Sequence, residues 1–407
     1  MSALQLAVTV IMAGCLFWLG LYLIGRNYRR LMLWPAGAGL FAYSVLLTLN
    51  VLDRYAPSIT IAQAISRWQI AFTLLPVLFW LVFLIIVAPR ENAWRQRMTE
   101  NRTMMLVIMG GTVLFAVGIG FMQLGDTAVS RFWLLHLLAF NLLVLGTAVA
   151  ALDAADEGES LWPHYLRSFD YAFFTALLFG IQIVLVMYFA TGVSFAMLIL
   201  LIVTIDTAVI VQTFSSRVTT WLDGVAFFYF PAVRKERAAL RAGADAASRV
   251  HEGVDVSAME PEAFARLTRK AISHMGNLPR LAASPLTQLP LVTVQLQALG
   301  VPADTLGRAA ALKKLLTDSI RRLKPSGEHA FGTTDAWRHY NALYFPYVLG
   351  IRPYRRRIDW DRLDDTAQEA LRWFRREVPT RTLYNWQTAA ARLVARDLRE
   401  QSRALTL

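Results

Sequence analysis

Up to residue 214 the apolar residues form long, nearly unbroken runs, and beyond it they recur with the shorter period of amphipathic helices. A helix crossing a bilayer needs about 20 predominantly apolar residues. Seven segments meet that requirement: Leu4–Ile24, Leu31–Leu52, Gln69–Ala88, Met104–Leu124, Phe132–Leu152, Phe169–Ala190 and Phe195–Phe214. The first run has no basic region ahead of it and no small-residue cleavage site, so it reads as a retained helix and not a signal peptide. Short connections predict antiparallel packing of sequence neighbours.

After residue 214 the pattern changes. An aromatic cluster of Trp221, Phe227, Phe228, Tyr229 and Phe230 is followed by Arg234, Lys235, Arg237 and Arg241, as at a membrane interface. Gly243–Ser257 is small and polar and predicts a hinge. Helical periods resume at Glu262–Met275. Asn277–Leu299 is interrupted by Pro279, Pro285 and Pro290. Thr305–Leu323 is amphipathic, Lys324–Gly332 is a loop, and Trp337–Leu349 is a short helix containing Pro346. No strand-like alternation occurs. The fold class is therefore all-α: a seven-helix transmembrane bundle over 1–214, an interfacial collar and linker over 215–257, and a cytoplasmic helical domain over 258–407.

The last stretch predicts a helix pair. Thr366 and Glu369 have capping-box spacing, and the apolar positions Ala367, Ala370, Leu371, Phe374 and Val378 follow a helical period up to Pro379. A second helix, capped by Thr380 or Thr382, runs to about Arg403. Leu383, Trp386, Ala390, Leu393, Val394 and Leu398 share one half of its wheel. Asn385, Thr388, Arg392, Arg396, Arg399 and Arg403 share the other. A helix, a tight turn and a second helix with one docked and one polar face is the arrangement helix-turn-helix DNA reading needs. Arg381 and the loop residues Arg355, Arg356 and Arg357 add phosphate-binding charge. An arginine stripe is usually a solvated face or a docking surface.

Charge sharpens the division. Apolar residues make up 56% of the 407 and charged residues 17%. Residues 1–214 hold 11 basic and 10 acidic side chains, and the remainder holds 30 and 19, so almost all of the net +12 lies past the seventh span. Arg26, Arg29 and Arg30 in one loop, Arg90, Arg95, Arg97 and Arg102 in another, and the basic tail place these segments in the cytoplasm, with the N-terminus outside. The loop from Asp153 to Ser168, rich in acids, disagrees mildly, but acids are weak determinants.

Polar groups within the spans are few. Asp206 sits in the middle of the seventh. An ionisable group at that depth is a functional candidate by default, although a plain packing hydrogen bond explains it as well. His136, Asn141 and Gln182 complete the candidates for ligand or proton sensing. The glycines Gly37, Gly39, Gly110, Gly111, Gly118 and Gly120 permit close helix approach, and Pro76 predicts a kink in the third span.

The segments LPRLAASPLTQLPLV, LKKLLTDSIRRLKP, WRHYNALYFPYVLGI and TLYNWQTAAARLVARDLRE, in that order, resemble a bacterial helix-turn-helix module. That module is related to the C-terminal DNA-binding region of sigma-like regulators. The resemblance covers roughly residues 262–403. It includes a helix with Tyr340, Leu343, Tyr347 and Gly350, and a reading helix whose opening pattern runs from Thr380 to Asn385–Trp386. The chain departs from it by the additional segment Arg352–Leu363. The first half resembles the seven-helix sensor regions found ahead of bacterial kinase modules, by helix count and topology alone.

Other chemistry is excluded or unsupported. The five lysines, Lys235, Lys270, Lys313, Lys314 and Lys324, all lie past the spans, which excludes a retinal Schiff base within them. Cys15 is the one cysteine, so no internal disulfide is possible. The six histidines have no metal-pair spacing, and neither a phosphate-binding loop nor a dinucleotide fingerprint occurs. His274 lies in a segment superficially like a phosphoacceptor box, but no acid follows it. No cofactor, metal or enzymatic activity is expected.

The expected function is a one-component sensor and transcriptional regulator of the bacterial cytoplasmic membrane. Its expected partners are the lipid bilayer, duplex DNA and a second copy of the chain. The alternatives are a signalling scaffold whose tail binds an acidic cytoplasmic protein or anionic lipid, and a transporter with a regulatory tail.

Overall fold

The computed structural model describes residues 2–26, 30–87, 102–123, 130–157, 161–247, 256, 259–326, 330–351, 353–354 and 363–405. Among them all regular structure is helical. The chain divides into two compact units, residues 1–155 with 161–229, and residues 156–160 with 230–407.

The first unit holds α1 (Ala3–Arg26), α2 (Leu33–Asp53), α3 (Ile59–Val87), α4 (Arg102–Gln123), α5 (Arg131–Glu157), α6 (Trp162–Val186) and α7 (Phe195–Thr213). Each is long and apolar enough to cross a membrane. α6 closes in a π turn, Met187–Thr191, and the chain reverses at Gly192, whose φ of 70° suits glycine. The Ser194 hydroxyl then caps α7, accepting the Met197 N–H at 3.4 Å. A shorter helix, α8 (Ser215–Ala226), follows and carries the exposed Trp221.

Two helices start earlier than hydropathy indicates: α3 at Ile59 and not Gln69, α6 at Trp162 and not Phe169. The added N-terminal residues of α3 include exposed polar groups such as Gln63 and Arg67, which lower hydropathy without opposing helix. α5 likewise runs past Leu152 to Glu157, so the acids at 153, 156 and 157 are helical and not in a loop. α3 is continuous through Pro76.

One apolar cluster joins α1 to α5, and α6 and α7 add only Ala172 and Val209 to its buried members. α1 and α2 approach each other backbone to backbone. A Cβ on Gly20 would stand 2.8 Å from the Gly37 carbonyl oxygen, and one on Gly37 would stand 2.7 Å from the Gly20 carbonyl oxygen. Only glycine at both positions permits that approach. Gly39, Gly111 and Gly118 face Trp80, Leu145 and Leu138 closely, but a Cβ on Gly110 or Gly120 would meet nothing within 4 Å among the described residues.

The second unit holds α9 (Pro231–Ala247), α10 (Pro261–His274), α11 (Leu278–Ala282), α12 (Pro290–Leu299), α13 (Thr305–Arg322), α14 (Arg338–Leu343), α15 (Asp365–Glu377) and α16 (Thr380–Ala404). α9 continues through Gly243 to Ala247, so the start of the expected hinge is helix; residues 248–255, 257 and 258 lie outside the described residues. Pro279, Pro285 and Pro290 each sit in the first turn of a separate short helix. There the missing N–H costs nothing.

Two apolar clusters organise this unit. One gathers α10 to α13 around the middle of α16, through Ala390, Val394 and Leu398. The other joins Phe345 and the α15 residues Leu371, Trp373 and Phe374 to Leu383 at the start of α16. Pro346 lies in a π turn, Tyr344–Val348, and has no N–H for the Ala342 carbonyl. Gln387 on α16 replaces it, donating Nε2 to that carbonyl at 3.3 Å.

Candidate functional site

Three arrangements in the first unit carry chemistry. At one end of the bundle Asp153 on α5 sits between two guanidiniums. Its Oδ2 accepts from Arg26 Nε at 2.7 Å and its Oδ1 from Arg30 Nη1 at 2.7 Å. The Arg26 and Asp153 side chains are each 1% exposed. Tyr22 Oη accepts from Arg26 Nη1 at 3.3 Å and lies 3.2 Å from His164 Nδ1 on α6. Desolvating such charges is costly unless each is paired and hydrogen-bonded, as these are. The acid that seemed a weak loop determinant is thus an internal partner of two arginines.

The second arrangement centres on α7. Asp206 on α7 lines a void of about 10 Å³ with Thr9 of α1 and Thr48 of α2. Among the described residues its carboxylate has no ion-pair or hydrogen-bond partner. Thr9 Oγ1 lies 3.0 Å from His136 Nε2 on α5, and His136 Nδ1 lies 2.7 Å from the Phe132 carbonyl oxygen. Asp206 and His136 are therefore brought to one locality. Asn141 and Gln182 are not. Asn141 Nδ2 donates to the Gly111 carbonyl at 2.9 Å and pins α5 to α4. Gln182 is exposed on α6.

The third is an apolar cleft of about 570 Å³ between α1, α6 and α7, within the range of small-molecule sites (about 300–1,000 Å³). Ala172, Ala176 and Gly180 of α6 and Leu201 and Ile205 of α7 line it, with Trp18 and Phe169, whose rings meet edge to face with centroids 5.0 Å apart.

In the second unit α15 and α16 are joined through Val378 and Pro379 alone. Asp364, and not Thr366, caps α15: its Oδ1 accepts the Ala367 N–H at 2.8 Å. Thr380 and Thr382 lie inside the first turn of α16 and do not cap it. α15 touches the opening of α16, where Trp373 and Trp386 stack 6.0 Å apart. One face of α16 is exposed, with Arg381, Tyr384, Asn385, Arg392 and Arg396 along it. Thr388 is half-buried on the same side and donates its hydroxyl to the Tyr384 carbonyl at 2.8 Å.

Two of the expected contact residues are engaged by α10. Arg392 pairs with Glu262 at 3.3 Å, and the Arg399 guanidinium lies over the Phe264 ring, 5.7 Å from its centroid. Arg269 of α10 lies over the exposed Tyr384 ring at 4.2 Å, a partner the residue pattern did not indicate. Arg355, Arg356 and Arg357 lie outside the described residues.

α16 is held to α13 by Asp397, whose carboxylate accepts from Arg322 Nη2 at 2.7 Å and Nε at 3.2 Å. Partial burial pushes its pKa up, but the bonds from Arg322 and Ser319 outweigh that and hold it below the ordinary aspartate value. A depressed folded pKa stabilises above the unfolded pKa, about 3.9, and the gain is lost as pH falls through the folded value. Wild type should therefore outlast Asp397→Asn in urea at pH 6, and the gap should close below about pH 4. A gap independent of pH would contradict this.

Compared with protein-family models, curated proteins and solved structures, the chain matches none.

Proposed function

We propose that the protein is a multi-pass protein of the bacterial cytoplasmic membrane acting as a one-component regulator. Its N-terminus lies outside and its helical C-terminal unit binds duplex DNA in the cytoplasm. The observation that carries the reading is the exposed face of α16. Arg381, Asn385 and Arg396 project from a helix whose other side is packed, directly after a two-residue turn from α15. Such a face supplies cations and an amide for phosphates and base edges. The basic excess past residue 214 supports electrostatic attraction to a polyanion. The orientation is supported by the arginine-rich loops, and the pairing of Asp153 with Arg26 and Arg30 removes the main contrary charge. The apolar cleft between α1, α6 and α7 is where a lipid or small apolar molecule would bear on the bundle.

The test uses full-length protein in lipid nanodiscs and fluorescent duplex DNA, titrated at several salt concentrations. Affinity should fall steeply with salt. Arg381→Ala with Arg396→Ala should lower the log–log slope by about 1–2, as expected for two lost phosphate contacts. No binding even at low salt would overturn the DNA reading. Retention of anionic vesicles or an acidic protein by the same face would favour the scaffold reading in its place.

A further inference from the structure

The cluster around Thr9 has a hydrogen-bond arithmetic that plain packing does not require. The Phe132 carbonyl can only accept, so His136 Nδ1, at 2.7 Å, carries a hydrogen. The Thr9 hydroxyl has one proton and two acceptors in reach, the Gln5 carbonyl at 2.8 Å and His136 Nε2 at 3.0 Å. With a neutral imidazole, Thr9 donates to Nε2. With an imidazolium, Nε2–H donates to Thr9, and Thr9 turns its proton to the Gln5 carbonyl. Both protonation states are satisfied by one hydroxyl rotation. Thr9 also lines the void that Asp206 and Thr48 line. Its volume of about 10 Å³ is near the least that holds one water, and the three polar side chains offer the two to four partners such a water needs.

We infer that His136, Thr9 and Asp206 form a water-linked proton relay, so that the ligand sensed at this site is the proton. The inference rests on the membrane reading proposed above and adds to the cleft a second stimulus at a separate site. A proton leaves the Asp206 carboxyl for the bridging water, the water passes one to Thr9 Oγ1, and Thr9 passes its own to His136 Nε2. A carboxylate and an imidazolium result, and no proton is lost. Thr9 and His136 lie in the second turns of α1 and α5, and Thr48 in the second turn from the end of α2, so the relay leads from mid-bundle toward one end. Arg131 begins the same helix as His136. Cys15 and Arg26 on α1, Asp53 on α2, and His164, Arg167 and Asp170 on α6 do not line the void.

The test is infrared difference spectroscopy between acid and neutral pH on full-length protein in nanodiscs. A carboxylic-acid band should grow on acidification and be absent in Asp206→Asn. Its midpoint should move by about one pH unit or more, in the manner of coupled sites, in His136→Gln and in Thr9→Val. Thr9→Ser, which keeps the hydroxyl, should retain the wild-type midpoint. An unchanged midpoint in both His136→Gln and Thr9→Val overturns the relay, as does a band that survives Asp206→Asn. If His136→Gln does not fold, Thr9→Val against Thr9→Ser decides alone. The readout involves no DNA, so its failure leaves the DNA reading standing, and loss of DNA binding leaves the relay standing.

Discussion

Asp153→Ala should destabilise the seven-helix unit by about 3–5 kcal/mol, the cost of stranding a buried charge. The Arg26 side chain is 1% exposed and cannot reach water without moving α1, whereas Arg30, at 27%, can turn outward. The loss should therefore fall chiefly on Arg26. Asp153→Leu combined with Arg26→Met removes both charges and fills similar volume, and such swaps are often neutral or stabilising. The double variant should recover most of the stability that Asp153→Ala loses. Thermal unfolding of full-length protein in nanodiscs, followed by circular dichroism, measures both. A single variant within 1 kcal/mol of wild type would show that Asp153 is dispensable to the bundle.

Phe374→Ala should cost the second unit about 3–5 kcal/mol, the usual range for deleting a buried aromatic. Phe374 is fully buried. Its ring meets Trp373 at 5.0 Å and Phe345 at 6.4 Å. It lies in the cluster that holds α15 against Phe345 and Leu383, the contact that presents the start of α16. For a unit of this size the loss corresponds to roughly 6–20 °C in melting temperature. DNA binding should fall with it even though Phe374 lies on α15 and not on the exposed face of α16. Phe374→Leu, which leaves a smaller cavity, should lose much less. Equal losses in the two variants would contradict a packing role.

The contrast between these two sites shows what a residue pattern reveals. The α15 core was readable because Ala367, Ala370, Leu371 and Phe374 recur within four residues of one another along a single helix. The Asp153 site was not. Its arginines stand in the arginine-rich segment that sets orientation, and its acid stood among others that looked like loop charge. The bond from Arg26 spans 127 residues, as does that from Thr9 to His136. The Asp364 cap was mislocated because Thr366 and Glu369 offered an equally good pattern two residues later, and only the backbone path decides between them.

The division into seven apolar helices and a basic helical tail follows from the sequence by itself, because length, hydropathy and charge are local properties that need no partner. So does the polar stripe of α16, since helical period alone sorts its faces. The tertiary structure decided which polar residues meet: that Asp206 and Thr9 line one void while Asn141 and Gln182 do not, and that Arg392 and Arg399 are engaged by α10 while Arg381 and Arg396 stay exposed. The physical reason is that a side chain's place on its own helix follows from backbone geometry, whereas the group it meets follows from the packing of helices far apart in the chain.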